Sequence, residues 1–206
     1  MNTPESRYVL PSFEERTAYG MKNQDPYSRL FQDRVIFLGT QIDDTSAGDI
    51  MSQLLVLESL DSDADITMYI NSGGGSMTAL AGILDTIDYI RPHVQTVVLG
   101  QAASAAALLL GGGQSGKRMA LPNSRIMIHQ PMIGGEGGRG QASDLEIQAK
   151  EILRMRDWLE ETLSRQTGRT VEEVSLDIDR DKFLTARQAL EYGLIDHILE
   201  SRKRPA

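Results

Sequence analysis

The sequence predicts a layered α/β fold, and three observations carry that prediction. Short apolar stretches alternate with longer ones whose apolar residues recur at helical spacing. Glycine runs at Gly73-Gly74-Gly75 and Gly111-Gly112-Gly113 punctuate the alternation. A single unbroken helical pattern then follows, so a strand-and-helix core with one long additional helix is the architecture expected.

The stretch to about Asn23, with Pro4, Pro11 and Gly20 and no steady period, reads as a flexible arm. Val35 to Leu38 reads as a strand and Ala47 to Leu60 as a helix with Ile50, Leu54 and Leu57 on its apolar face. Ile66 to Ile70 is the next strand, stopped by Asn71-Ser72 and the first glycine run, and Met77 to Ile90 is the next helix. Val94 to Leu99 is a strand, an Ala-rich helix begins near Ser104, and the second glycine run leads to short strands near Lys117 to Ala120 and Arg125 to His129. Beyond Pro131, Gly134, Gly135, Gly137, Gly138 and Gly140 leave little reason for one conformation. Ser143-x-x-Glu146 reads as a capping box opening a helix that runs to about Thr167, with Leu145, Ala149, Ile152, Leu159 and Leu163 on one face and Gly168 as its end. At 1.5 Å per residue a helix of about 25 residues spans roughly 37 Å. That is too long to lie wholly on so small a domain, so the helix is expected to project and pack against a partner subunit. Thr170-x-x-Glu173 and Thr185-x-x-Gln188 are two further capping boxes, each opening a short helix.

The chain of 206 residues is expected to form one core domain, 24–200, with an arm, 1–23, and a short tail, 201–206. Lysines and arginines number 21 against 29 acidic residues, a formal charge of -8, which argues against a nucleic-acid partner. The basic tail Arg202-Lys203-Arg204 is too small to reverse it. The longest strongly apolar stretch, Ala102 to Leu110, is too short to cross a bilayer, and Met1 to Arg16 has no apolar core of a secretory signal, so no membrane association is expected. Cysteine is absent, which excludes disulfides, zinc-thiolate sites and cysteine nucleophiles and fits a cytoplasmic location.

Several motifs dissolve on inspection. Gly111-x-x-x-x-Gly116-Lys117 has phosphate-loop spacing, but Arg118 stands where a hydroxyl must bind magnesium and an apolar helix precedes it. Gly111-x-Gly113-x-x-Gly116 and Gly135-x-Gly137-x-x-Gly140 fit a dinucleotide fingerprint by spacing alone, with no strand-to-helix turn around them. No histidine pair has metal-ligand spacing, so neither a metal nor another cofactor is expected.

What remains is Ser104, a lone hydroxyl where an apolar strand ends and an Ala-rich helix begins. It has two readings. It is an ordinary N-cap, or it is a nucleophile placed where free N–H groups at a helix start stabilise an oxyanion and alanine neighbours leave room for a substrate carbonyl. His129, at the end of Ile126-Met127-Ile128, is a half-buried structural histidine or a general base; His93 and His197 keep the structural reading. An imidazole can take a serine proton near neutral pH when its second nitrogen is held by an acceptor. Asp181 can be that acceptor, although within an acidic run with Asp177 and Asp179 it reads by itself as a solvated charge. The first glycine run is a tight connection or a ledge whose N–H, paired with the one following Ser104, completes an oxyanion hole.

From about Tyr27 to Leu199 the chain resembles the ClpP family, the proteolytic subunits of the Clp protease. The resemblance rests on ordered blocks: Tyr27-Ser28-Arg29-Leu30-Phe31, Arg34-Val35-Ile36-Phe37-Leu38-Gly39, Tyr69-Ile70-Asn71-Ser72-Gly73-Gly74-Gly75, Gly100-Gln101-Ala102-Ala103-Ser104, Gly116-Lys117-Arg118, Leu121-Pro122-Asn123-Ser124-Arg125, His129-Gln130-Pro131, Gln141-Ala142-Ser143-Asp144 and Asp179-Arg180-Asp181-Lys182-Phe183-Leu184. It implies a ClpP/crotonase-like fold with a projecting handle helix, Ser104 as nucleophile, His129 as base, Asp181 orienting it, and backbone N–H groups of Gly75 and Ala105 as the oxyanion hole. It also implies two stacked seven-membered rings, with Asp179 and Arg180 coupling assembly to triad alignment. Tyr69, Tyr89, Leu99, Met119 and Leu199 match the pocket that receives loops of an ATP-driven AAA+ unfoldase of the ClpX or ClpC/ClpA type, which delivers unfolded protein. Residues to about Arg7 would be a removable propeptide, and Tyr8 to about Asn23 would line the axial entrance.

Three departures stand out. Gly73 replaces the usual proline, which should loosen the ledge. The glycine-rich insert around Glu136 is longer than the common pattern, and Ala105 replaces a frequent methionine at a position where only the N–H is used. The arm Arg7-Tyr8-Val9-Leu10-Pro11-Ser12-Phe13 and the Ala-rich stretch are most similar to an actinobacterial paralogue that works beside a second ClpP, so the rings are expected to contain this chain alone or with a paralogue. The expected activity is that of a serine endopeptidase subunit. Its rivals are a catalytically silent ring subunit and a crotonase-type acyl-CoA enzyme, which shares the fold and the two-N–H oxyanion hole but uses carboxylates.

Overall fold

The structure is a computed structural model that describes residues 12–18, 20–132 and 141–201. The expected propeptide, the glycine-rich insert around Glu136 and the basic tail lie outside them. The stretch expected to be a flexible arm carries, in its described part, an antiparallel hairpin of β1 (Phe13–Thr17) and β2 (Gly20–Gln24). Gln24 is its buried end, bonded to Glu15 and Gln32 at 2.6 Å each. Asp25 then accepts from the N–H groups of Tyr27 and Ser28 and opens α1 (Pro26–Gln32), whose first residue is a proline that needs no N–H partner.

The core alternates strand and helix as β3 (Val35–Leu38), α2 (Asp44–Leu60), β4 (Ile66–Ser72), α3 (Met77–Tyr89), β5 (Val94–Ala103), α4 (Ala105–Gly111), β6 (Arg118–Ala120) and β7 (Arg125–Ile128). It continues as α5 (Ala142–Thr167), α6 (Val171–Asp177), β8 (Lys182–Thr185), α7 (Ala186–Tyr192) and β9 (His197–Ile198). The main sheet runs β3-β4-β5-β6-β9 with parallel pairing; β7 lies parallel to β5 and antiparallel to β8. One sheet face, with Ile36, Met68, Ile70 and Val98, is fully buried in one cluster with the apolar faces of α2, α3 and α4. The opposite face, with Phe37, Tyr69 and Met119, is only half-buried.

Two departures from the expected boundaries position the site. The strand expected to stop at Leu99 runs on to Ala103, and it changes partner on the way: Thr96–Val98 pair with β6, whereas Gln101–Ala103 pair with β7. Gly100, at φ 137, and a register irregularity between Ile70 and Ser72 mark the switch. The Ala-rich helix α4 is buried along its whole length. Its alanines are small so that the helix can pass through the core, each of Leu108, Leu109 and Leu110 adding about 1.5–3 kcal/mol by burial; making room for a substrate carbonyl is not what the packing requires of Ala106 and Ala107.

The long helix is capped two residues before the expected Ser143: Gln141 is the cap, its N–H donating to Asp144 Oδ2 at 3.1 Å, and the Ser143-x-x-Glu146 box does not form. Glu146 instead pairs with Lys150 one turn on. Among the described residues of α5, full burial begins only at Leu159, so its first half stands clear of the domain as its length implied. The boxes Thr170 with Glu173 and Thr185 with Gln188 both form. Among the described residues no helix is long and apolar enough to cross a membrane.

Candidate active site

Ser104 follows directly on β5 and precedes the first residue of α4. Its backbone is at φ 56, ψ -127, a conformation that L residues avoid and that a sharp strand-to-helix corner demands. Its N–H is held by Met127 O at 2.8 Å, and its O accepts from Ala107 N at 2.9 Å, so both neighbouring elements fix the corner. The side chain makes no capping bond. Ser104 thus stands at the N-cap position of α4 without its side chain capping the helix, which leaves the hydroxyl for another partner.

It turns instead to His129. Ser104 Oγ lies 2.7 Å from His129 Nε2, while His129 Nδ1 lies 3.3 Å from Asp181 Oδ1. The tautomer that serves both contacts carries the proton on Nδ1, facing the carboxylate, and leaves Nε2 to accept from the serine hydroxyl. The imidazole is nearly buried, whereas the Asp181 side chain is 56% exposed.

The register of two short strands accounts for this meeting. β7 and β8 pair antiparallel with Ile128 opposite Lys182 as their last pair, so His129 and Asp181 are the next residues on either side of the same ladder. Meanwhile β7 pairs with β5 through Ala103 and Met127, which brings the chain leaving β5 beside the chain leaving β7. Three residues far apart in sequence thus arrive at the ends of three adjacent strands.

The glycine ledge closes the fourth side. A Cβ placed on Gly74 would lie 2.7 Å from Ser104 Cβ and 3.0 Å from Ala105 N, and one on Gly75 would lie 2.1 Å from Ile42 O. Both glycines have positive φ, 93 and 149, and the strand-like bridge of Gly75 to Ile42 pins the ledge from behind. Gly73 differs: a Cβ there would meet nothing, and its φ is not in the left-handed range. Ala105 is the first residue of α4, so its N–H has no acceptor within the helix, and the Gly74 spacing puts it beside the ledge.

A cleft of about 540 Å³ opens between the segment His129 to Met132 and the turn Asp179 to Asp181. Arg180 is 93% exposed at its mouth, 3.7 Å from the Asp179 carboxylate. Gln130 spans this cleft: its N–H donates to Ile178 O at 2.8 Å and its side-chain amide to Asp179 O at 2.9 Å. Its only sequence signal was adjacency to His129.

Of the five residues matched to an unfoldase pocket, Tyr69 and Met119 flank Val97 in one row of the half-buried sheet face, and Leu99 and Leu199 lie two residues further along the same face. Tyr89 ends α3, in the helix layer, and is 79% exposed. Among the described residues no group of three or more histidine or acidic side chains is placed to hold a metal ion.

The Clp protease family model matches residues 18–202. The chain is 65% identical over 203 residues to ATP-dependent Clp protease proteolytic subunit 2 of Leifsonia xyli subsp. xyli, covering 98% of this chain and 91% of that protein. It is 64% identical over 200 residues to proteolytic subunit 1 of Tropheryma whipplei strain Twist, covering 97% and 96%, and 63% identical over 206 residues to proteolytic subunit 2 of Corynebacterium jeikeium, covering 100% and 98%.

Proposed function

The chain belongs to the Clp protease family, and from that membership we propose that it is a serine endopeptidase subunit in which Ser104, His129 and Asp181 carry the chemistry. One observation carries the assignment: the 2.7 Å contact of Ser104 Oγ with His129 Nε2, made by a serine held at φ 56. Backbone strain of this kind costs about 1–3 kcal/mol and survives where it aims a reacting group.

In the acylation step Ser104 Oγ attacks the scissile carbonyl and its proton passes to His129 Nε2. The oxyanion is received by the N–H groups of Gly75 and Ala105. The imidazolium, stabilised by the Asp181 carboxylate, returns its proton to the leaving amine. Water then attacks the acyl carbon as His129 Nε2 takes its proton, and that proton passes to Ser104 Oγ as the ester bond breaks, releasing the carboxylic acid product. No metal or other cofactor has a step to perform.

The assembly follows the same reading. The exposed half of α5 serves as the handle that joins two stacked seven-membered rings, built from this chain alone or with a paralogue, and Asp179 with Arg180 links ring contact to the turn bearing Asp181. The sheet face with Tyr69, Leu99, Met119 and Leu199, together with Tyr89, receives a AAA+ unfoldase of the ClpX or ClpC/ClpA type, which feeds unfolded protein to the cytoplasmic particle. The three-part division into arm 1–23, peptidase domain 24–200 and tail 201–206 fits this use.

A second reading is favoured by one specific feature, the exposed Asp181 at 3.3 Å: a subunit whose own triad stays idle while a paralogue cleaves. Hydrolysis of a small fluorogenic peptide separates the two. The assembled particle should cleave it without ATP, and mixed particles carrying Ser104→Ala in this chain should lose this chain's share. Unchanged hydrolysis in those mixed particles would give the activity to the paralogue.

A further inference from the structure

The weakest link in the site is the carboxylate. His129 comes off a sheet strand and is nearly buried, but Asp181 sits on a four-residue turn, Ile178 to Asp181, between the end of α6 and the start of β8. We propose that Gln130 and Lys182 are positioning residues that hold this turn in register with His129, although neither touches Ser104 or the reacting atoms. The proposal rests on the reading of Ser104, His129 and Asp181 as the triad.

Two ties on opposite ends of the turn support it. At its start, Gln130 crosses from the histidine strand with two bonds, N–H to Ile178 O at 2.8 Å and side-chain amide to Asp179 O at 2.9 Å. Because Gln130 is covalently next to His129, moving Ile178 or Asp179, which lead into Asp181, away from the imidazole breaks one of these bonds. At its end, the Lys182 ammonium pairs with the Asp177 carboxylate, so the residues immediately outside the turn are drawn together and the loop is closed by an ion pair. That pair is sheltered, with side chains 34% and 23% exposed, and is less screened than a surface pair.

Lys182 also rests on a platform. Its ammonium lies 5.4 Å from the centre of the Tyr192 ring, and the Arg169 guanidinium lies 4.2 Å from that same centre. Burial first, then the nearby Asp177 carboxylate, push the Tyr192 hydroxyl well above the ordinary tyrosine range, so it stays neutral as a platform. Arg169 is itself bonded to Tyr192 O at 3.3 Å. The three side chains form a fixed anvil at the far side of the turn, built from α7, β8 and the segment before α6.

The test is the rate at which a fluorophosphonate modifies Ser104 in the assembled particle, read by intact mass alongside peptide kcat and KM. Gln130→Ala and Lys182→Met should each slow labelling and lower kcat by about three- to tenfold, the effect of losing one or two hydrogen bonds, with KM and native mass unchanged. Lys182→Arg, which keeps the ion pair and the ring contact, should restore the rate. In an Asp181→Asn background neither substitution should slow labelling further, because the group they position is already gone. Labelling at the parent rate in both single variants overturns the proposal, as does an undiminished loss in the Asp181→Asn background. If Lys182→Met fails to assemble, Gln130→Ala and Lys182→Arg still decide. Failure of the triad reading itself looks different: the unmutated particle then takes no label on Ser104.

Discussion

His129 and Asp181 stand opposite each other one step beyond the last pair of the β7–β8 ladder, Ile128 with Lys182. Their 3.3 Å approach is therefore a consequence of strand register as much as of charge. Asp181→Asn keeps the register and removes the charge. It should lower kcat by roughly 10⁴-fold or less, a smaller loss than Ser104→Ala causes, since an orienting carboxylate contributes less than nucleophile or base. Steady-state peptide hydrolysis by the assembled particle measures both.

The ledge glycines should respond unequally to alanine. Gly74→Ala forces a methyl group to within 2.7 Å of Ser104 Cβ at a positive φ, so the corner must shift and Ser104 labelling should fall at least tenfold, about 1.4 kcal/mol of barrier. Gly73→Ala meets open space, and should raise stability by about 0.4–1 kcal/mol through the unfolded chain while leaving labelling intact. Chemical denaturation and labelling rates, taken together, check the contrast.

Ser104→Gly removes the nucleophile and also the strain of φ 56. Relief of about 1–3 kcal/mol outweighs the extra unfolded-chain entropy of glycine, about 0.5–1 kcal/mol, so the inactive variant should be more stable by roughly 1 kcal/mol. For a chain of this size that is a rise of about 2–4 °C in Tm, readable by calorimetry.

Acid should unfold the domain through two paired carboxylates. The Lys117 ammonium, bonded to Asp65, holds that carboxyl below its ordinary value. Burial alone would raise Asp196, but its bonds from the Arg118 guanidinium and N–H outweigh burial and bring it down. With folded values below the unfolded one of about 3.9, the unfolded chain takes up protons first. Both contributions are therefore complete above about pH 4 and fade as pH drops through the folded values. Denaturation midpoints measured from pH 6 to pH 2 should fall only in the acid part. Asp196→Ala, which leaves the largely buried Arg118 unpaired, should cost about 3 kcal/mol at neutral pH and flatten that acid slope.

The alternation from β3 to β7 was legible because each strand is a short apolar run and each helix keeps its period, as Leu54 and Leu57 or Ile83 and Ile87 do. The hairpin Phe13–Thr17 with Gly20–Gln24 was not, since its charged, mostly exposed residues carry no alternation. The continuation of β5 past Leu99 was hidden by Gly100 and Gln101, which read as a strand end but mark a change of partner. Ser143 lost its cap because Gln141 starts the helix sooner, a choice that propensity does not resolve. Ser104 and His129 could be nominated by position, at the ends of predicted strands. Asp181 could be offered as an acceptor but not told from its acidic neighbours Asp177 and Asp179 without the resemblance, because its partner is set by a ladder register that no local pattern announces.

The central claim is that Ser104 is an activated nucleophile, and the most direct measurement is the site and extent of fluorophosphonate modification in the assembled particle. Mass mapping should find one adduct per subunit of this chain, on Ser104, and His129→Ala should abolish it. An unmodified Ser104 in a particle that hydrolyses peptides through this chain, or an adduct that persists in Ser104→Ala, would contradict the account.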